Sequence, residues 1–289
     1  MKGRRVIISD LDFEILMFLW QWKAATTAML GLRFSGSDKS TAIYQRLTRL
    51  QHAGYILARV GLTGNHFAWT LTMKGYSVIR PRLNGLQEDG FKSENFGHDL
   101  LASAVHLGSW IQGIPEGCEV FTEQQLRRYS ESDYPEWVPR TTRHRPDGYW
   151  RVKGDPLPKI MALEVELSRK TNLDYQTIGA FYASWKKIYR VIWFVEKEGH
   201  AKRLAEKLSS GSEEKADYHN FLTVGQFVEG GWQARIIEGS EVGLTLQELV
   251  NDTPMMSPSV VMGRLLMNAA KAPFRTKGYK VFSPTHFCY

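Results

Sequence analysis

Residues 159–168 read KIMALEVELS, and this segment constrains the fold more than any other part of the chain. It is largely apolar, yet it carries Glu164 and Glu166, separated by one valine. Side chains alternate between the two faces of a strand, so both glutamates share one face and Val165 points into the opposite layer. A short apolar run of this kind is typical of a buried strand. We therefore expect a sheet that holds acidic side chains close to its core.

A third acidic residue, Asp147, precedes Glu164 by seventeen positions, within the segment HRPDGYWRV. That separation accommodates a strand, a turn at GDPLP (residues 154–158) and a returning strand. The two strands would bring Asp147, Glu164 and Glu166 to one edge of the sheet. An alternative is a solvated strand end whose acidic residues face Arg143, Arg145 and Arg169.

The second part of the chain, residues 95–289, has an α/β pattern. A helix at 96–111 is followed by three strands, a helix and a further strand. The predicted strands are 118–126, which ends near Glu123, 144–152, 159–168 and 189–197, with later strands at 221–230 and 232–239. The helix within this order is predicted at 173–185, and a short helix at 201–210.

This order resembles the core of the PD-(D/E)XK nuclease superfamily, the restriction-endonuclease-like fold. The residues that carry the resemblance are Pro146, Asp147, Glu164, Val165, Glu166 and Lys170. The resemblance implies a Mg²⁺- or Mn²⁺-dependent DNA endonuclease with Asp147, Glu164 and Glu166 as metal ligands, since a hard cation prefers carboxylates and activates water. Lys170, Glu123 and His98 are additional catalytic candidates. The superfamily usually has lysine where this chain has Glu166, which favours a domain without catalysis.

The basic charge is concentrated in the first part of the chain. Residues 1–84 contain twelve Lys/Arg and four Asp/Glu, whereas the remainder contains twenty-five and twenty-six, for a net charge of +7. A basic module joined to a nearly neutral one indicates that the first part contacts phosphates.

Residues 1–84 are predicted to form three helices and a hairpin. The helices are expected at 9–22, at 27–32 and from residue 38 to a C-cap at Gly54. Extended segments at 55–60 and 66–71 follow, and then a helix from 74 to 79. The inner face of the third helix is expected to contain Ala42, Ile43, Leu47 and Leu50.

This pattern resembles a winged helix-turn-helix, in which the third helix enters the major groove of DNA. The DNA-binding candidates of this helix are Lys39, Ser40, Thr41, Tyr44, Gln45, Arg46 and Arg49, and those of the wing are Arg59 and Asn65. Winged helices also mediate protein–protein contacts, which is the alternative here.

Residues 9–200 as a whole are similar to the replication-relaxation proteins, which include mobilisation accessory proteins of the MobC kind. The similarity lies in a GHDLL-type helix followed by TEQQLR, HRPDGYW and ALEVELSRKT. It implies a relaxosome component in conjugation that binds origin DNA beside a relaxase or replication initiator and aids strand opening. A transcriptional regulator is a further alternative.

The expected organisation is a winged-helix domain at 1–84, a linker near 80–94 and a nuclease-like domain at 95–289, an α/β (α+β) chain overall. Apolar runs do not reach the roughly 18 residues of a membrane span, and no basic and apolar leader is evident. We therefore expect a cytoplasmic, plasmid- or nucleoid-associated protein without a membrane partner. Cys118 and Cys288 are expected to be free thiols.

Overall fold

The computed structural model describes residues 7–60, 67–83, 85–110, 118–140, 144–153, 158–209 and 218–250. Within these ranges the chain is mixed α+β, with a three-stranded antiparallel sheet and a six-stranded mixed sheet flanked by helices. No helix in these ranges is both long and apolar enough to cross a membrane. Asn65, Arg143, most of the GDPLP turn and the segment after residue 250 lie outside the described residues.

The first half is built from short helices around a small sheet. In chain order its elements are α1 (Asp10–Trp22), β1 (Ala25–Thr26), α2 (Thr27–Ser35), α3 (Thr41–His52), β2 (Ile56–Val60), β3 (Phe67–Leu71) and α4 (Met73–Ile79). Ser9 caps α1 in a capping box with Asp12, and Gly36 closes α2 in the left-handed conformation. The sheet order is β1–β3–β2, and the hairpin of β2 and β3 confirms the two predicted extended segments.

Two details of this half differ from the sequence-based expectation. The third helix starts at Thr41, because the Ser40 side chain accepts a hydrogen bond from the Ile43 N–H and so acts as the N-cap. Ala42 is exposed, whereas Ile43, Leu47 and Leu50 are buried. These three positions define the buried stripe of the helix, and Ala42 lies one residue before it.

The predicted linker is packed against both halves. Leu83 and Phe91 are buried with the first core, and the Phe91 ring stacks on Tyr76 with centroids 5.1 Å apart. The Trp20 Nε1–H donates to the Gly90 carbonyl at 3.0 Å. The segment therefore contributes to a continuous core and does not act as a loose connection.

The second half is a six-stranded sheet with helices on both faces. Its elements are α5 (Phe96–Trp110), β4 (Cys118–Thr122), α6 (Glu123–Arg128), β5 (Gly148–Val152), β6 (Lys159–Glu166), α7 (Asn172–Ser184), β7 (Ile188–Val195), α8 (Glu198–Ser209), β8 (His219–Thr223), α9 (Val224–Gly230), β9 (Glu238–Gly239) and α10 (Leu246–Val250). The order is β4–β5–β6–β7–β8–β9, with β6, β7 and β8 parallel and the other neighbours antiparallel. The antiparallel pair of β5 and β6 is the pair that the sequence predicts.

The two faces of this sheet bury separate cores. Residues of α5, α9 and α10 pack on one face with Val165, and residues of α7 and α8 pack on the other with Ala162. Val165 therefore lies in the layer opposite to α7, as the alternation of β6 predicts.

Three predicted elements of this half were wrong. Glu123 begins helix α6 instead of ending a strand, because Thr122 and Gln125 form a capping box. Residues 224–230 form α9, which starts from a second capping box between Thr223 and Gln226. Of residues 232–239, Glu238 and Gly239 form the short strand β9 beside β8, and the Ile237 N–H donates to the Phe221 carbonyl at 2.8 Å.

Candidate functional site

Asp147 is fixed to the neighbouring strand by its main chain and its side chain. Gly148 of β5 pairs with Leu163 of β6 in an antiparallel register. Asp147 precedes Gly148 and Glu164 follows Leu163, so the two acidic residues are neighbours across these strands. The Asp147 N–H donates to the Leu163 carbonyl at 3.0 Å, and the Val165 N–H donates to Asp147 Oδ2 at 2.6 Å. The returning strand therefore brings Asp147 to the same edge as Glu164 and Glu166.

Glu164 is buried beneath α7 and has two side-chain partners. The Tyr182 hydroxyl donates to Glu164 Oε1, and His144 Nε2 lies 2.5 Å from the same oxygen. Burial and the negative charge of Glu164 raise the pKa of Tyr182 well above its ordinary value. Tyr182 thus remains a hydrogen-bond donor to this carboxylate at all ordinary pH values.

Glu166 is almost fully buried and forms an ion pair with Lys170, four residues later. Its Oε1 is buried without a hydrogen-bond partner among the described residues. Burial raises the pKa of Glu166, the Lys170 ammonium lowers it, and the charges of Glu164 and Asp147 raise it further. The three predicted carboxylates therefore form one electrostatically coupled set.

His98 connects Asp147 to helix α5. Its Nε2 is 2.9 Å from the Val165 carbonyl and 3.5 Å from Asp147 Oδ1, and its Nδ1 is 3.8 Å from Asp99 Oδ1. The negative charge of Asp147 outweighs burial and, with Asp99, raises the pKa of His98 to about 11. His98 is therefore an imidazolium at neutral pH and offsets the charge of Asp147.

Lys23, at the C-terminus of α1, inserts its ammonium into this cluster from the first half of the chain. It forms ion pairs with Asp99 Oδ1 at 3.0 Å and with Glu123, and its side chain is 9% exposed. Its backbone φ is +61°, which is unfavourable for a residue other than glycine. Lys23 and Asp147 both line the small cavity between α1, α5 and α6.

The structure brings together the six predicted residues His98, Glu123, Asp147, Glu164, Glu166 and Lys170. It adds four that the sequence did not predict for this site, namely Lys23, Asp99, His144 and Tyr182. Asp99 follows His98 in the GHDLL motif, and His144 lies two residues before Pro146, so their positions gave a usable local signal. Lys23 and Tyr182 gave none, because only packing brings α1 and α7 to the site.

The described residues do not include a group of three His, Cys, Asp or Glu side chains that could hold a metal ion. Each predicted ligand instead has a partner from the protein: His98 for Asp147, Tyr182 and His144 for Glu164, and Lys170 for Glu166. A divalent cation at this edge would therefore compete with the His98 imidazolium for Asp147 and with the Lys170 ammonium for Glu166.

The predicted DNA-binding residues of α3 fall into two groups. Exposed side chains are those of Lys39, Thr41, Tyr44, Gln45 and Arg49, and Ser40 is half-buried as the N-cap. Arg46 and Arg49, however, form ion pairs with Asp12, which is fully buried. Although burial opposes ionisation, the Ser9 N–H and the two guanidinium groups lower the pKa of Asp12 to about 2. These two arginines therefore join α3 to α1.

Arg59, the described wing candidate, lies on β2 with its backbone paired to Ala68 of β3. Its guanidinium lies 5.3 Å from the centroid of the Phe96 ring at the start of α5, which is a cation–π contact. Arg59 is exposed, and through Phe96 it also contacts the second half of the chain.

Comparisons of the chain with protein-family models, with curated proteins and with solved structures gave no match.

Proposed function

We propose that the chain is a DNA-binding protein in which residues 1–84 contact duplex DNA through α3. The observation that carries this proposal is the exposed face of α3 and the turn that precedes it. Thr41, Tyr44 and Gln45 project from a helix whose opposite face is buried, and the exposed Lys39 lies just before the N-cap Ser40. A helix N-terminus with polar side chains offers hydrogen bonds both to phosphates and to base edges.

The architecture around α3 supports the proposal. Three helices are followed by a β2–β3 hairpin within a small antiparallel sheet, an arrangement that resembles a winged helix, where the third helix docks into the major groove. The charge distribution supports it as well. One of the four acidic residues in this part of the chain, Asp12, is fully buried, so it adds little negative charge to the surface.

The narrower proposal is an accessory role in plasmid or integrative-element mobilisation. It is supported by the resemblance of residues 9–200 to replication-relaxation proteins. On this proposal the protein is plasmid-associated in the cytoplasm, binds an origin region beside a relaxase or replication initiator, and aids strand opening.

Fluorescence anisotropy with labelled duplex DNA tests the binding proposal. We expect the logarithm of the binding constant to fall linearly with the logarithm of salt concentration, because phosphate contacts release counterions. Binding should persist in EDTA, and its loss on chelation would contradict a metal-independent mode. Footprints on transfer-origin and promoter fragments then separate an accessory protein from a transcriptional regulator.

A metal-dependent DNA endonuclease is the second candidate. It is favoured by the positions of Asp147 and Glu164 on paired strands and by the buried, unpartnered Oε1 of Glu166. The resemblance of this strand order to the PD-(D/E)XK superfamily supports it. Mg²⁺ or Mn²⁺ would be held by Asp147, Glu164 and Glu166 and would supply an activated water.

Supercoiled plasmid incubated with the purified chain and Mg²⁺ or Mn²⁺ tests this second candidate. Asp147→Asn is the matched control, because asparagine retains an oxygen that accepts the Val165 N–H. Nicking by the parent chain that disappears in the variant would support the endonuclease. Equal plasmid profiles for the two proteins would exclude it and leave DNA binding without cleavage.

A further inference from the structure

A basic pocket opens beside the acidic edge of the second sheet. It is lined by Arg169, Tyr175, His200, Arg203, Leu204 and Lys207, and its volume is about 300 Å³ with the solvent at its mouth included. Four of the six lining side chains are Arg, Lys or His, and none is acidic. The pocket lies between the residues that follow β6, the first turn of α7 and helix α8.

Two of the basic side chains that line this pocket, Arg169 and Arg203, have no counter-ion among the described residues. Neither Arg169 nor Arg203 has an ion pair or a side-chain hydrogen bond among them. Burial lowers the pKa of His200, and the charges of Arg203, Arg169 and Lys170 lower it further, against an opposing effect of Glu196. The Glu196 carboxylate already forms an ion pair with Lys197, with 3.6 Å between Oε1 and Nζ.

The floor of the pocket is formed by two buried side chains. Tyr175 and Leu204 are 2% and 1% exposed. The Tyr175 hydroxyl accepts from the Lys170 N–H at 3.0 Å, which holds the loop that carries Arg169. The Lys207 ammonium lies 5.3 Å from the centroid of the Tyr175 ring. The floor therefore fixes the backbone from which the exposed Arg169 and Arg203 side chains extend.

We propose that this pocket binds a phosphate group, with Arg169 and Arg203 as its principal ligands. Guanidinium groups bind phosphate oxygens through paired N–H donors, and an open, unbalanced pair of them favours a multivalent oxyanion over chloride. Arg169 lies three residues after Glu166, so the bound phosphate sits at the carboxyl ends of β6 and β7, where ligands of open α/β sheets commonly bind.

The identity of the phosphate source rests on the proposed function. A DNA-binding chain would place a backbone phosphate of the bound nucleic acid in this pocket, whereas a free phosphate compound would use the same ligands. Both sources present phosphate oxygens to the same two arginines. Only a DNA phosphate in the pocket would make Arg169 and Arg203 contribute to DNA affinity.

Isothermal titration calorimetry of the full chain with inorganic phosphate, at constant ionic strength, tests the pocket. We expect Arg169→Gln combined with Arg203→Gln to weaken phosphate binding at least tenfold. Lys202→Gln, an exposed neighbour on α8 that does not line the pocket, should leave the Kd unchanged. The double Arg→Lys variant keeps the charge and should lose part of the affinity. Equal Kd values for the parent chain and the double glutamine variant would overturn the proposal.

The salt dependence of duplex DNA binding then separates the two sources. The logarithm of the DNA-binding constant falls with the logarithm of salt concentration. If a DNA phosphate occupies the pocket, this slope should be less steep by about one in the double glutamine variant. An unchanged slope would overturn the DNA source. If the parent chain does not bind DNA at all, the proposed function fails, while the phosphate titration still decides whether the pocket exists as a binding site.

Discussion

Asp12 shows how one buried residue can change the meaning of a surface pattern. The sequence places Arg46 and Arg49 on the outer face of α3, where they count as candidates for DNA contacts. In the structure both guanidinium groups bind the Asp12 carboxylate, at 2.8 Å and 2.5 Å. Their side chains are 30% and 43% exposed, so they retain some access to solvent while they hold α1 against α3.

Replacement of Asp12 by Asn should destabilise the fold. The pKa of Asp12 falls from 3.8 to about 2 on folding, which corresponds to a stabilisation of about 2 kcal/mol at neutral pH. The contribution is present above pH 3.8 and is lost as the pH falls toward 2. Urea unfolding at pH 7 and at pH 3 measures the difference. Asp10→Asn, an exposed change in the same helical turn, is the control and should have little effect.

Lys23 is the second residue with a clear stability prediction. Lys23→Ala removes the cation that faces Asp99 and Glu123, and we expect the free energy of unfolding to fall by about 3 kcal/mol. Lys23→Gly removes the same charge but relieves the positive φ, so it should be more stable than the alanine variant by roughly 1 kcal/mol. Thermal or urea unfolding compares the two, and an alanine variant as stable as the glycine variant would contradict backbone strain at this position.

The pH dependence of the Lys23 variants provides a further check. The pKa of Asp99 is lowered on folding by His98 and Lys23, against the effect of burial. Its contribution is therefore present above the ordinary pKa of 3.8 and disappears as the pH falls through the lowered value. The deficit of Lys23→Ala should shrink below about pH 4, as Asp99 becomes protonated.

At the scale of elements, α3 is the helix whose exposed face can be tested without disturbing the core. Lys39→Gln combined with Gln45→Ala should weaken DNA binding more than tenfold and leave the melting temperature unchanged, because both side chains are exposed. Anisotropy and thermal unfolding measure the two quantities. Lys186→Gln, an exposed lysine between α7 and β7, is the charge-matched control. Equal affinities for the two variants would contradict a role of α3 in DNA binding.

Changes of Arg46 are less informative than changes of Lys39. Loss of the Arg46 guanidinium would remove a partner of the buried Asp12 and so affect stability as well as any contact with DNA. A weaker affinity of such a variant would not separate the two effects.

The two halves of the molecule share an interface that involves α1, α5 and α6. The Thr122 hydroxyl donates to the Gln21 carbonyl at 3.1 Å, the Trp20 and Tyr129 rings lie 5.9 Å apart, and Leu100 of α5 belongs to the core of the first half. The ion pairs of Lys23 cross the same interface. These contacts couple the helical half to the acidic edge of the sheet.

This coupling predicts cooperative unfolding of the described structure. Tryptophan fluorescence and far-UV circular dichroism should give coincident urea transitions, because separation of the halves would expose Trp20, Phe91 and Leu100 to water. Two resolved transitions would show that the halves unfold independently. Lys23→Ala weakens the interface, so it is the variant in which the transitions should begin to separate.

Much of the secondary structure follows from local patterns. The apolar stripe of residues 11, 15, 18, 19 and 22 predicted the helix at 9–22, and the alternation at Glu164, Val165 and Glu166 predicted the two faces of β6. Two of the three errors in the second half occurred where a polar cap outweighed apolar content: FLTVGQFVEG is apolar enough for a strand, yet the Thr223–Gln226 capping box starts a helix within it. The two-residue strand β1 lies below the length at which alternation can be recognised.

The sequence by itself determined the order of the main elements, the concentration of basic charge in residues 1–84 and the pairing of the strands that carry Asp147 and Glu164. These properties depend on periodicity and on residue type, which act over a few positions along the chain. Only the tertiary structure decided which charges meet. Lys23 joins Asp99, Tyr182 joins Glu164 and two arginines join Asp12 because helices distant in sequence pack together, and a buried charge takes its partner from whatever the packing brings within reach.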